Sequence, residues 1–304
     1  MDEKQKRRAL YRSFKRGYYH LCTDGLKDAR LFYDESEYVN AVNSISLLDL
    51  LFPVKVHEYE VMRNHLHLLL SGKGTHCVDS FDYLKMRISK RLREDGRPLL
   101  PPGYDFRLIP VADEEQMRRN IVYIARNAFE VQEVMPGGYL WGSSLLHYSG
   151  LPRLFEGIRA GDYSQRALHR MFRSELPIPP DRLIHPGLGM ALPQGFVDLG
   201  VFHKVFPTAK DYSVRLVKDY EAYVELADQM GESISFSFEE ARDIVDQELA
   251  RAGLSLDGLS SDDRCRFAVQ IHRKYRLSVP VLSRILFVPV HVIDQALRAK
   301  RWRP

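Results

Sequence analysis

The chain has 304 residues, about twice the roughly 150 of a usual domain, and its 45% hydrophobic and 28% charged content excludes a disordered or low-complexity protein. Cys22, Cys77 and Cys265 are widely separated and form no C-x-x-C, which excludes a disulfide framework or thiolate zinc site and points to a reducing, cytoplasmic setting. The net charge of +4 is too small to announce a nucleic-acid partner, but residues 264–304 hold ten basic side chains against Asp294 alone, a local balance of +9.

The start has basic residues with no apolar run behind them, and the most apolar stretch, residues 45–56, is interrupted by Asp49, Pro53 and Lys55. Neither a signal peptide nor a transmembrane span is expected. Residues 16–22 are rich in aromatics and precede a turn-prone Thr23-Asp24-Gly25, which predicts a strand. Residues 36–51 carry Tyr38, Val39, Val42, Ile45 and Leu48 at helical spacing and meet Pro53, which predicts a helix and its stop. The β-forming runs 54–62 and 65–70 are separated only by Arg63-Asn64, a hairpin.

Residues 79–94 repeat Phe81, Leu84, Ile88 and Leu92 after an Asp79-Ser80 cap and before Gly96. The other face of that helix holds Lys85, Arg87, Lys90, Arg91 and Arg93, a basic stripe suited to DNA phosphates. A strand over 104–111 and a helix over 113–131 follow, the latter with Met117, Ile121, Ile124 and Ala128 on its buried face. The order β-α-β-β-α-β-α over residues 1–150 predicts an α+β fold, a ferredoxin-like four-stranded antiparallel sheet with packed helices and one added helix.

Pro/Gly clusters at 136–138 and 177–187 and a Gly/Ser/Asp stretch at 253–263 mark boundaries. They predict an irregular connecting region over 151–230 and a mainly helical tail over 231–304. Helices over 264–275, 280–286 and 289–298 have helix-turn-helix spacing, with His291, Asp294, Gln295 and Arg298 on the exposed face of the third. The turn lacks the common Gly, so a plain three-helix interaction module stays open. The basic excess favours DNA.

His65-Leu66-His67 lies in a strand, where alternate side chains share a face, so both imidazoles point one way and can grip one divalent ion. By itself an H-x-H pair is more often two structural histidines. In the helix over 113–131, Gln116, Asn120, Tyr123 and Asn127 form a polar stripe. An Asn127 amide oxygen can complete a His/His/Asn shell, which suits Mg²⁺ or Mn²⁺ bridging a phosphate. Tyr123, one turn away, needs such a cation to act as a nucleophile, because a phenol ordinarily has a pKa of about 10.

The run Val61-Met62-Arg63-Asn64-His65-Leu66-His67-Leu68-Leu69-Leu70, then Tyr123-Ile124-Ala125-Arg126-Asn127, then Trp141-Gly142-Ser143-Ser144 resembles the single-tyrosine HUH endonucleases. It is most similar to the REP-associated tyrosine transposases of the IS200-like group, which read approximately M-P-N-H-x-H, Y-I-x-x-N-P and W-S-S and carry a His in the first strand, here His20. The resemblance covers roughly residues 10–150. Arg63 and Ala128 replace the usual prolines, and Gly142 stands where Ser is common.

The resemblance implies a metal-dependent transposase acting in DNA recombination on single-stranded or hairpin DNA. His65, His67 and Asn127 would hold the metal, and catalytic Tyr123 would form a 5′-phosphotyrosine with the cleaved strand. The chain would work as a monomer or a homodimer exchanging tyrosine helices. Two alternatives stay open: a domesticated DNA-binding regulator that kept the fold, and an unrelated metalloprotein using His65 and His67 on small molecules.

Overall fold

The computed structural model describes residues 2–24, 30–132, 138–147, 157–218, 220–231 and 236–298, and its contacts divide the chain into compact units over residues 1–216 and 217–304. The contacts divide at 216/217; the expected boundary at 150 lies outside the described residues, and that at 230 falls within the second unit. The expected boundary at 136–138 lies largely outside the described residues, as do the basic residues beyond 298.

The first unit is α+β. It opens with α1 (Glu3–Ser13), then β1 (Gly17–Thr23), α2 (Glu35–Ile45), the single turn α3 (Leu48–Leu51), the hairpin β2 (Lys55–Val61) and β3 (Leu66–Gly72), α4 (Gly74–Glu94), β4 (Phe106–Val111) and α5 (Glu114–Gln132). The strands form one antiparallel sheet in the order β2-β3-β1-β4. Tyr19, Leu21, Tyr59, Leu68, Leu70, Phe106 and Leu108 share one face and are buried with Val42 and Ile45 of α2 and Phe81, Leu84 and Ile88 of α4. The opposite face carries His20, Cys22, Glu58, Glu60 and His67, and α5 packs there against β2 and β3.

Three elements depart from expectation. The helix expected over 36–51 breaks after Ile45, where the hydroxyls of Ser44 and Ser46 donate to the Asn40 and Asn43 carbonyls and compete with the backbone ladder. α4 begins at Gly74 without a side-chain cap, rather than at an Asp79-Ser80 cap. Its start is set by contact with α1: the Gly74 amide donates to the Phe14 carbonyl, and a Cβ there would collide with the Tyr11 carbonyl. α1 is an element the sequence patterning does not predict; Arg7 and Arg8 donate to Asp105, Arg8 also to Asp82, and Arg12 to Asp79.

Residues 157–216 are not an irregular connection. They form a two-stranded antiparallel pairing of β5 (Ile158–Arg159) and β6 (Leu183–Ile184) with α6 (Gln165–Phe172) between the strands, then α7 (Gly200–Val205) and α8 (Ala209–Lys218), the last reaching the unit boundary. Asn43 fastens this region to α2, donating to the Met171 and Gly189 carbonyls and accepting from the Ala191 amide. The exposed edge of β2 is covered by residues 141–143 and by 197–198 through backbone pairing, which removes a free sheet edge.

The second unit is helical: α9 (Tyr220–Met230), α10 (Phe238–Arg251), α11 (Ser261–Tyr275), α12 (Val279–Leu286) and α13 (Val290–Arg298). Its core joins Val245, Ala268, Ile271, Leu282, Leu286 and Ile293. α12 ends at Phe287, a non-glycine residue at φ 55° whose side chain is 73% exposed. No described helix is long and apolar enough to cross a membrane.

Candidate active site

The site is built on the sheet face beneath α5. Strand alternation puts His67 on that face, opposite Glu60 of β2 and Cys22 of β1, with His20 two residues along β1. His65 stands at the entry of β3, and its Nε2 lies 2.8 Å from His67 Nε2. Its Nδ1 donates to Asn64 Oδ1 at 2.8 Å. On the far side, His67 Nδ1 is 3.1 Å from His20 Nε2, and His20 Nδ1 donates to Asn120 Oδ1 of α5 at 2.7 Å. The three imidazoles thus form one chain between two amide oxygens.

Tyr123, one turn beyond Asn120 on α5, lays its ring against this chain, with centroids 5.6 Å from His67 and 5.8 Å from His20. His20 and His67 are fully buried and Tyr123 is 1% exposed. Burial lowers the His67 pKa well below the usual imidazole range, with His20 adding to the effect, so His67 stays neutral near pH 7.

Asn127 is brought to the same helix face and is buried, but its amide nitrogen donates to the Tyr123 carbonyl at 2.9 Å. That bond turns the nitrogen toward the helix backbone and leaves the oxygen as the available ligand atom. No hydrogen bond joins Asn127 to His65 or His67 among the described residues. Nor does any set of three His, Cys, Asp or Glu side chains among them converge as a metal cage. The donors that do meet are two imidazole nitrogens facing each other, which fit two adjacent positions of one divalent ion and require amide, water or phosphate oxygens for the rest.

Sequence reasoning missed a second polar cluster beside this one. Ser143 Oγ donates to Glu58 Oε1 at 2.9 Å, Ser144 Oγ donates to Glu60 Oε1 at 2.8 Å, and His147 Nε2 is 2.5 Å from Glu58 Oε2. All five side chains are buried. Burial raises the Glu60 pKa well above the carboxylate range, Glu58 adds to the rise and the Ser144 hydroxyl opposes it. Gly142 pairs with Glu60, and a Cβ there would collide with the Glu60 carboxyl. The signal was present in β2, where two carboxylates one strand repeat apart interrupt an apolar run.

The basic stripe of α4 is on the other side of the sheet from the histidines, and part of it is structural. Arg87 is buried and donates to the Phe172 and Arg173 carbonyls at 2.6 Å and to Ser44 Oγ at 3.1 Å, so it is not available to phosphate. Lys85 donates to the Tyr104 carbonyl at 2.5 Å, and Arg91 pairs with Asp95 at 2.6 Å. Lys90 and Arg93 are exposed. In the second unit, His291, Gln295 and Arg298 project from one exposed face of α13.

Comparisons with models of known protein families, with curated proteins and with solved structures return no match.

Proposed function

We propose that the first unit is a metal-dependent single-tyrosine DNA nuclease and strand transferase of the HUH type, most similar to REP-associated tyrosine transposases. The reading rests on one observation above the rest: the facing Nε2 atoms of His65 and His67 and the ring of Tyr123 share one buried polar face. The strand order β2-β3-β1-β4 within a β-α-β-β-α-β succession is consistent with a ferredoxin-like sheet.

In this reading His65 and His67 would hold Mg²⁺ or Mn²⁺, the Asn127 oxygen would be a third ligand, and the bound ion would supply Lewis-acid polarisation of a scissile phosphate. The Tyr123 oxygen attacks phosphorus, the bond from phosphorus to the 3′ oxygen breaks, and the tyrosine proton ends on that oxygen. A 5′-phosphotyrosine and a free 3′-OH result, so the reverse reaction rejoins strands without ATP. The helices α12 and α13, with Phe287, Val288 and Pro289 between them, would serve as a helix-turn-helix reading duplex flanks through His291, Gln295 and Arg298.

The burial of Tyr123 favours a second reading, a DNA-binding regulator in which the tyrosine only packs. Incubation with labelled single strands, including hairpins from the flanks of the encoding gene, in Mn²⁺ separates the two. A denaturation-resistant protein–DNA adduct supports strand transfer; binding without an adduct on any strand supports the regulator.

A further inference from the structure

We infer that the cleft between α2, α4 and the C-terminal turn of α6 binds a small phosphomonoester. Asn40, Arg91 and Arg173 would hold the phosphate, and an apolar body would lie against Val39, Met171 and Leu188. The cleft has a volume of about 440 Å³, within the range of about 300–1,000 Å³ usual for small-molecule sites. It lies on the α4 side of the sheet, away from the histidines, so the inference stands apart from their reading as metal ligands.

Asn40, Arg91 and Arg173 line both this cleft and a narrower recess that reaches Arg87 and Lys90. Arg87 is buried and gives its hydrogen bonds to neutral acceptors: the Phe172 and Arg173 carbonyls, Ser44 Oγ and Asn40 Oδ1. It pairs with no carboxylate among the described residues, so a buried positive charge stands behind the recess without a counter-charge in contact. Burial lowers its pKa, and the nearby Arg173 pushes the same way. An anion in front of Arg87 would offset that unfavourable charge without touching it. Asn40 is buried too, and its Oδ1 accepts from Arg87. Its Nδ2 is therefore a donor with no acceptor among the described residues, placed where a phosphate oxygen can supply one.

The other cations meet carboxylates that a phosphate can replace. Arg91 pairs with Asp95 at 2.6 Å and donates to Ser36 Oγ at 3.0 Å, and Arg173 pairs with Glu94. The side chains of these two pairs are between 24% and 36% exposed, and such partly solvated pairs are weak. Arg170 lines the cleft, is exposed and has no partner among the described residues. Five cations and two carboxylates, Glu35 and Glu94, line the cleft and recess together. That surplus suits one phosphate dianion better than the many charges of a strand. Arg173 ends α6 in the left-handed region at φ 50°, where glycine is usual. An arginine there carries backbone strain, and its place at the junction of cleft and recess gives that strain a use.

Calorimetry on the full-length protein with adenosine 5′-monophosphate, inorganic phosphate, adenosine and an unphosphorylated single strand tests the site. The nucleotide should bind saturably, inorganic phosphate about tenfold or more weakly for lack of the apolar contact, and adenosine not measurably. Arg173→Gly removes the guanidinium and relieves the left-handed backbone, so its thermal midpoint should not fall below that of the wild type. Its affinity for the nucleotide should drop about tenfold or more. Arg170→Ala should lower that affinity about two- to fivefold.

No nucleotide binding by the wild type, or undiminished affinity in Arg173→Gly, overturns the site. Adenosine binding as tightly as the nucleotide overturns the role of the phosphate, and inorganic phosphate doing so overturns the role of Val39, Met171 and Leu188. A single strand that displaces the nucleotide assigns the cleft to the DNA backbone and overturns a small-molecule site; a strand that binds without displacing it supports one.

Discussion

The ring of Tyr123 stands edge-on to His67, with centroids 5.6 Å apart and planes at 85°. The contact uses the ring, and the proposed chemistry uses the oxygen, so the two can be separated. Tyr123→Phe should keep the fold, with a stability change within about 1 kcal/mol, and abolish the covalent DNA adduct. An adduct that persists moves the nucleophile elsewhere; Tyr139, whose hydroxyl donates to the Val61 carbonyl, is the next to test, and Tyr148 lies outside the described residues.

Removing either ligand tests the metal directly. His65→Ala or His67→Ala should eliminate Mn²⁺-dependent cleavage while hairpin binding stays within about tenfold, because phosphate contacts come mainly from Lys and Arg. Parallel loss of cleavage and binding in a gel-shift titration would assign the histidines to structure.

Much of the sheet was readable because its elements are amphipathic with clean periods: β1, the β2–β3 hairpin around Arg63-Asn64, and α5 all fall within a few residues of expectation. α1 was not readable because only Tyr11 of it is buried and it carries no apolar stripe. α1 is held by arginines on Asp79, Asp82 and Asp105, partners 67 to 98 residues away in sequence that no local pattern reveals. The polar stripe on α5 singled out Asn120 and Tyr123, but the bond from His20 to Asn120 spans 100 residues and needs the strand order to be known. The cluster of Glu58, Glu60 and His147 was hidden for the same reason.

The cations of α4 are of two kinds, buried Arg87 and exposed Lys90 and Arg93. Arg87→Ala should destabilise the protein by about 2–4 kcal/mol, because it leaves a cavity and unsatisfied carbonyls at Phe172 and Arg173. Lys90→Ala and Arg93→Ala should shift stability by no more than about 0.5 kcal/mol. If these exposed residues neutralise phosphate, each should flatten the salt dependence of single-strand binding by about 0.7. Urea unfolding and binding at a series of salt concentrations measure both.

Glu60 gives the protein a pH signature. Its folded pKa is raised by burial, so below the unfolded value of about 4.5 both states carry the proton and the full contribution to stability is present. As pH rises above that, the unfolded chain releases the proton while the folded one keeps it, and stability declines until the folded pKa is passed. Glu60→Gln keeps an acceptor for Ser144 and cannot ionise. Its stability should decline less than that of the wild type between pH 5 and neutrality, as read by thermal melts; parallel curves would show Glu60 already ionised in the fold.

The second unit should act on affinity and not on chemistry, since His291, Gln295 and Arg298 lie on α13 and every proposed catalytic group lies on β3 or α5 or beside them. The double variant Gln295→Ala with Arg298→Ala removes two exposed side chains and no buried one, so the helical core around Leu282, Leu286 and Ile293 should remain folded. Affinity for duplex flanks should fall by tenfold or more, about 1.4 kcal/mol, while adduct formation on a saturating hairpin is unchanged. Both proteins must be compared at one salt concentration, because removing Arg298 changes the electrostatic term as well as any base contact. A loss that is uniform across duplex sequences assigns Arg298 to the backbone. A loss confined to one sequence assigns the helix to base readout. No loss at all returns α11 to α13 to a protein-interaction module.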